Sequence, residues 1–181
     1  MKILALLRHA KSTWDDPVAR DFDRPLNKRG QKAARTVGGE MRSLGLGFDR
    51  VIASPALRVI ETLADIEQSY GKNLGQVYDQ RLYLASPATL IDLIHETGDE
   101  TQSLLVVGHN PGLERLAIML TQGSDGPLRS ELECKYPTAT LAEIALKVES
   151  WGEVAEGTGT LTRFVRPRDL DPELGPDEDS Y

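Results

Sequence analysis

The chain has 181 residues, 40% of them hydrophobic and 27% charged, with 21 basic against 28 acidic side chains for a formal charge of −7. That length suits one domain with a sizeable core, and the composition excludes a collagen-like, disulfide-framed or wholly disordered chain. The excess acid is concentrated at the end: residues 168–181 hold six acids and one arginine, leaving about −2 on residues 1–167 and no basic footprint for nucleic acid.

The first element is an apolar run, residues 3–7, which reads as a buried strand and stops on Arg8 and His9. The run is shorter than the apolar core of a secretory signal, and no small-residue cleavage site follows it. Next, Ala33, Ala34, Val37, Met41 and Leu44 recur on one helical face that closes near Gly45. Residues 51–53 predict a short strand, after which Ser54 is placed as a helix N-cap and Pro55 as the first helical residue. "GQVYDQ" offers a further short strand, and "SPATLIDLIHETG" repeats the Ser-Pro helix start. "SLLVVGHNPGLERLAIML" reads as strand, glycine-rich turn and helix. Beyond "TQGSDGP", "ATLAEIAL" and "GTLTRFV" read as two strands joined by a longer loop and expected to run antiparallel.

Strands alternating with helices predict an α/β fold, a three-layer α/β/α domain over residues 1–167 with a mostly parallel central sheet. The stretch 168–181 is polar and aperiodic, contains Pro172, Gly175 and Pro176, and is expected to be a loosely attached acidic tail. A single cysteine, Cys134, excludes an internal disulfide and suits a reducing compartment. No run approaches the roughly 18 apolar residues of a membrane helix. A cytoplasmic protein with no membrane or nucleic-acid partner is therefore expected.

Three strand-to-helix junctions carry the chemistry. Arg8 and His9 follow the first strand, Arg58 follows Ser54-Pro55, and His109 follows "SLLVVG". In a parallel α/β sheet all such junctions lie at the carboxyl ends of the strands, where ligands bind, so residues about fifty apart in sequence are expected to meet. Two arginines, two histidines and helix N-termini on one edge describe an anion site, and phosphate fits it because guanidinium groups bind its oxygens bidentately. Neutral imidazole is available as a nucleophile near pH 7, and a neighbouring arginine favours the neutral form. Such a histidine divides phosphoryl hydrolysis into two in-line transfers stabilised by positioning and positive charge, with no metal or cofactor required.

These motifs carry a family resemblance. "LLRHAKSTW" resembles the Arg-His-Gly signature of the histidine phosphatase superfamily, also called phosphoglycerate-mutase-like; "ASPALRVIETL" resembles its arginine motif and "VVGHNPGL" its second-histidine motif. "DFDRPLNKRG" and the absence of a large helical cap are similar to the small SixA-type phosphohistidine phosphatases. The resemblance spans roughly residues 3–165. It implies the phosphoglycerate-mutase-like fold, His9 as the phosphorylated nucleophile, and Arg8, Arg58 and His109 as its phosphate-gripping partners. It also implies a substrate: phosphohistidine on a signalling protein of the histidine-phosphotransfer type.

The sequence departs from the family pattern twice. Ala10 stands where glycine is usual, which is tolerated if its φ is negative. Mutase-type members place a glutamate after a segment equivalent to "RLYLASP", and residues 84–87 offer no carboxylate there. An alkoxide leaving group needs a proton donor, whereas imidazole leaves with far less help. Asp15, Asp16, Asp21 and Asp23, in the loop above the site, remain as candidate acids, with Asp15 and Asp21 foremost. Two rival functions share the machinery: a phosphomonoesterase acting on a small phosphorylated metabolite, and a phospho-ligand binding module without turnover.

Other features read as structural. His95 sits in the last turn of a helix, where its charge suits the dipole, and the three histidines lack metal-ligand spacing. Cys134 has Thr140, not arginine, six residues on, which excludes a cysteine-phosphatase loop, and no "GxxxxGK" loop is present. Six bases between Arg20 and Arg35 (Arg20, Arg24, Lys28, Arg29, Lys32 and Arg35) read as a solvated helix face, or as a dock for an acidic protein. Trp14, Phe22 and Tyr83 are placed either at the mouth of the site or in the core.

Overall fold

In β1 (Lys2–Arg8), Leu4 and Leu6 face one apolar core while Ala5 and Leu7 face another, the two-residue alternation of a strand buried on both sides. The computed structural model describes residues 1–17 and 20–175. Its sheet has six strands in the order β3-β2-β4-β1-β5-β6, where β2 is Arg50–Ala53, β3 Val77–Tyr78, β4 Ser103–Gly108, β5 Leu141–Leu146 and β6 Gly159–Val165. The first four strands run parallel; β5 is antiparallel to both β1 and β6, as the sequence led us to expect. Among the described residues, no helix is long and apolar enough to cross a membrane.

Helices cover both faces. α1 (Lys28–Ser43) and α2 (Leu57–Tyr70) pack with Ala5, Leu7 and Leu105 on one side. On the other, α3 (Pro87–His95), α4 (Gly112–Leu120) and α5 (Pro127–Cys134) enclose Leu4, Leu6 and Val106 together with fully buried Trp151. The Asn27 side chain caps α1 by accepting from Gly30 N at 2.8 Å. Ser86 and Pro87 open α3 in the expected Ser-Pro manner. α5 went unread because only Leu132 on it is buried, too little for a periodic signal.

Two expectations need correction. Ser54 does not cap α2, which begins at Leu57 after Ala56; its hydroxyl accepts from Ala56 N at 3.3 Å and from His109 Nε2 at 2.8 Å. The acidic stretch from 168 onward is not loose over residues 168–175. There, α6 (Pro167–Leu170) and a turn at Pro172–Leu174 fold back over α1. Leu174 is buried in the α1/α2 core, Lys32 Nζ meets Glu173 Oε2 at 2.6 Å and Asp171 Oδ2 at 3.3 Å, and Arg29 donates to the Glu173 carbonyl at 3.0 Å. The acids of this strap answer the basic face of α1. Residues 176–181, the rest of the expected tail, lie outside the described residues.

Candidate active site

Each junction delivers its side chain to a common cavity of about 220 Å³, whose wall includes Arg8, His9, Asp21, Arg24, Arg58 and His109. β1 and β4 end in register, with Arg8 beside Gly108, and His9 N donates to the Gly108 carbonyl. This pairing sets the imidazoles of His9 and His109 with ring centroids 5.2 Å apart. Arg58, in the first turn of α2, reaches across with Nη2 3.2 Å from His109 Nδ1. The Asn110–Pro111 peptide is cis, and Gly112 lets α4 start directly against the Ala85 carbonyl, where any Cβ would collide.

The hydrogen bonds define both tautomers. His9 Nδ1 lies 2.7 Å from the Ala10 carbonyl, which can only accept, so Nδ1 carries the proton and Nε2 keeps its lone pair. Arg58 can only donate, so His109 Nδ1 is the acceptor and its Nε2–H donates to Ser54 Oγ at 2.8 Å. Ala10 is fully buried and its φ is not positive, so it serves in the usual glycine's place. Its N–H donates to Thr62 Oγ1 at 2.9 Å, one helical turn beyond Arg58.

Electrostatics keep both rings neutral. Burial, aided by the neighbouring His109 and the charges of Arg8 and Arg58, outweighs the Ala10 hydrogen bond and lowers the His9 pKa well below the usual 6.5. Burial and the neighbouring Arg58 bring His109 down to about 3. Arg8 donates to the Tyr136 carbonyl at 2.9 Å, yet the buried Nε–H groups of Arg8 and Arg58 have no protein partner. Buried donors without acceptors are costly, and both guanidiniums border the cavity.

Of the four candidate acids only Asp21 reaches the cavity. Its Oδ2 accepts from Arg58 Nη2 at 3.0 Å and from the Tyr83 hydroxyl at 2.5 Å, and its Oδ1 accepts from Arg24 Nε at 3.1 Å. Burial alone would raise its carboxyl, but the Tyr83 hydrogen bond and the Arg58 charge outweigh it and hold the pKa down to about 2. Asp15 and Asp16 are exposed and off the cavity wall, and Asp23 pairs with Arg20 at 2.7 Å. The six bases between Arg20 and Arg35 also divide: Arg24 enters the cavity, Arg35 pairs with Asp65, and Lys32 holds the strap. Exposed Trp14 lies on the cavity wall with Arg24 3.5 Å above its ring, while Tyr83 packs edge-on against both Phe22 and His109.

Sequence reasoning overlooked Ser54 as the partner of His109 and Thr62 as the anchor of Ala10. Both stand in the "ASPALRVIET" stretch already singled out, but a hydroxyl beside a helix start reads first as a cap. His95, expected to be structural, bonds the Val154 carbonyl at 2.8 Å. Among the described residues, no three His, Cys, Asp or Glu side chains form a metal-ligating cluster.

A parallel-sheet edge presenting two neutral imidazoles between two buried guanidiniums defines a phosphoryl-handling α/β protein. Residues 4–82 match the family model of the histidine phosphatase superfamily (branch 1). An uncharacterised protein of Mycobacterium tuberculosis is 38% identical over 164 residues, covering 90% of this chain and 100% of its own length. One from Mycobacterium leprae is 32% identical over 167 residues with the same coverages. Among solved structures, the proposed phosphohistidine phosphatase SixA of Agrobacterium tumefaciens superposes with a TM-score of 0.76 at 29% identity, covering 92% of this chain and 98% of that one. Its counterpart from Nakamurella multipartitia gives 0.78 at 26%, covering 92% and 96%. The chain belongs to the histidine phosphatase superfamily, in its small SixA-type branch.

Proposed function

We propose that the protein is a phosphohistidine phosphatase that works through a covalent phosphoryl-enzyme on His9. His9 Nε2 attacks phosphorus in line and the P–N bond to the substrate imidazole breaks; that ring leaves as neutral imidazole after taking up one proton. Water then attacks the phosphorus on His9, the new P–N bond breaks, and inorganic phosphate departs, restoring neutral His9. Arg8 and Arg58, guanidiniums on the cavity wall, stabilise the equatorial oxygens as charge builds there, and His109 orients Arg58 by accepting from it at Nδ1.

The ionised state of Asp21 carries the choice of substrate. It is the one carboxylate on the cavity wall among the described residues, and with a pKa of about 2 it holds no proton to give near neutrality. A phosphomonoester whose alkoxide must be protonated on departure is poorly served, whereas imidazole, with a conjugate acid near pKa 6.5, leaves readily. Leu84, in the segment where related mutases place a glutamate, puts an apolar side chain on the same wall.

The test is to compare turnover of a histidine-phosphorylated phosphotransfer domain with that of phosphoserine and sugar phosphates, alongside labelling with radioactive phosphodonor. Expected are a kcat/KM favouring phosphohistidine, an acid-labile label on the wild type, and none on His9→Ala, whose turnover falls by roughly 10³-fold or more. Preference for the monoesters would overturn the substrate choice. Binding of phosphate without label or turnover would leave a binding module instead.

A further inference from the structure

Two large apolar side chains stand in solvent on the wall of the catalytic cavity: Trp14, 72% exposed, and Leu84, 55% exposed. A single exposed apolar residue means little, but these two share the rim of one reactive site, and each is held there. The Arg24 guanidinium packs on one face of the Trp14 indole, 3.5 Å from the ring centroid. Arg24 is itself buried and fixed by three acceptors: Asp21 Oδ1 at 3.1 Å, Ser12 Oγ at 2.6 Å and the Thr13 carbonyl at 3.4 Å. The indole thus has a rigid back, and most of its remaining surface is open. Leu84 has φ +50°, in the left-handed region that a leucine occupies only at a cost. No burial of its side chain offsets that cost.

The chemistry says what lies against this rim. In-line attack by His9 Nε2 requires the leaving atom on the far side of phosphorus. His9 and Arg58 are buried at the floor of the cavity, so the leaving group points from the floor toward the exposed part of the wall, where Trp14 and Leu84 stand. A flat indole backed by a cation offers a stacking face to a ring. A serine or sugar leaving group has no π face to match it.

We propose that Trp14, with Leu84 on the same rim, is the recognition surface for a planar leaving group, the imidazole of the phosphohistidine. The assignment rests on the catalytic reading above and adds the residues that select the ring. A contact present in the bound substrate and in the transition state alike acts on KM more than on kcat.

The experiment compares free phosphohistidine with phosphoramidate, which carries the same P–N bond and no ring. Trp14→Ala is expected to lower the phosphohistidine-to-phosphoramidate ratio of kcat/KM roughly five- to tenfold through KM, and Trp14→Phe to restore most of it. Leu84→Gly, which suits the backbone at that position, is expected to lower the ratio in the same direction. A ratio equal to the wild type's in either variant overturns the assignment of that residue. A second readout needs no turnover. The chain has two tryptophans, and Trp151 is fully buried, so a ligand that reaches the rim changes the emission of Trp14. In His9→Ala, phosphohistidine is expected to quench that emission and phosphoramidate to leave it, with the quenching lost when Trp14→Phe is added. No quenching by phosphohistidine, or equal quenching by both ligands, overturns the proposal. A wild type that binds phosphohistidine with quenching but does not hydrolyse it sinks the catalytic reading and leaves the recognition surface standing.

Discussion

At the scale of single residues, the site depends on which hydrogens the two imidazoles carry. Ser54 is wholly buried and its hydroxyl is the acceptor for His109 Nε2–H. Replacing it with alanine leaves a buried donor unpaired and frees the ring to change tautomer, so Ser54→Ala should lower kcat/KM roughly tenfold, about 1.4 kcal/mol, with the fold retained. Turnover measured beside a thermal melt checks this. His109 also links stability to pH. Its folded pKa of about 3 lies below the ordinary 6.5, so the unfolded chain takes up the proton first. The resulting stabilisation is complete above about pH 6.5 and is lost as pH falls from there toward 3. Urea titrations between pH 6 and 4.5 should therefore show the wild type losing on the order of 1 kcal/mol more than His109→Gln; equal slopes would count against a buried neutral ring. His9, Arg8, Arg58 and His109 could be read in the sequence because each ends an apolar strand or begins a helix where charge has no structural use. The roles of Ser54 and Thr62 could not, because a hydroxyl beside a helix has a local use that hides a distant one; Asp21 is legible as a carboxylate near the site, but not as the ionised partner of Arg58.

At the scale of elements, the strands and the helices with strong apolar faces followed from periodicity, while α5 and the strap did not. With a single buried residue, α5 offers no face to read, and the strap is held by ion pairs, backbone carbonyls and Leu174, whose burial alone makes no periodic pattern. Gly30 shows how one element tunes the next. Its backbone N–H is capped by Asn27, and a Cβ at this position would run into the Lys11 carbonyl, just past the strand end that carries His9. Overpacking at so close an approach typically costs about 1–3 kcal/mol. Gly30→Ala should therefore destabilise the fold by that amount and displace the Lys11 segment, reducing turnover as well. Gly39, where an added Cβ meets nothing within 4 Å, is the control: Gly39→Ala should leave turnover unchanged and be neutral or slightly stabilising, as a helix-interior glycine lost.

At the scale of the whole molecule, alternating elements and the parallel-sheet rule were enough to expect that residues 8, 9, 58 and 109 meet, since every βα junction opens on one edge. The order β3-β2-β4-β1-β5-β6 was not legible, because it depends on which strands pair across crossovers, and local pattern says nothing of that. That order puts β1 and β4 side by side, and it is why the two histidines, a hundred residues apart, lie with rings 5.2 Å from each other. Gathering cations with their buried Nε–H groups unpartnered raises the energy of the anion-free fold, so an oxyanion that binds only the folded chain stabilises all of it. Orthovanadate at 100 times its dissociation constant contributes about 2.7 kcal/mol. For a chain of this length each kcal/mol raises Tm by about 2–4 °C, so the expected shift is roughly 5–11 °C. Arg58→Ala removes a wall of the cradle and should show little or no shift at the same vanadate concentration, while Lys135→Glu, outside the catalytic cavity, should keep the full one. An equal shift in wild type and Arg58→Ala would mean that the anion binds elsewhere and that the four side chains do not form one cradle.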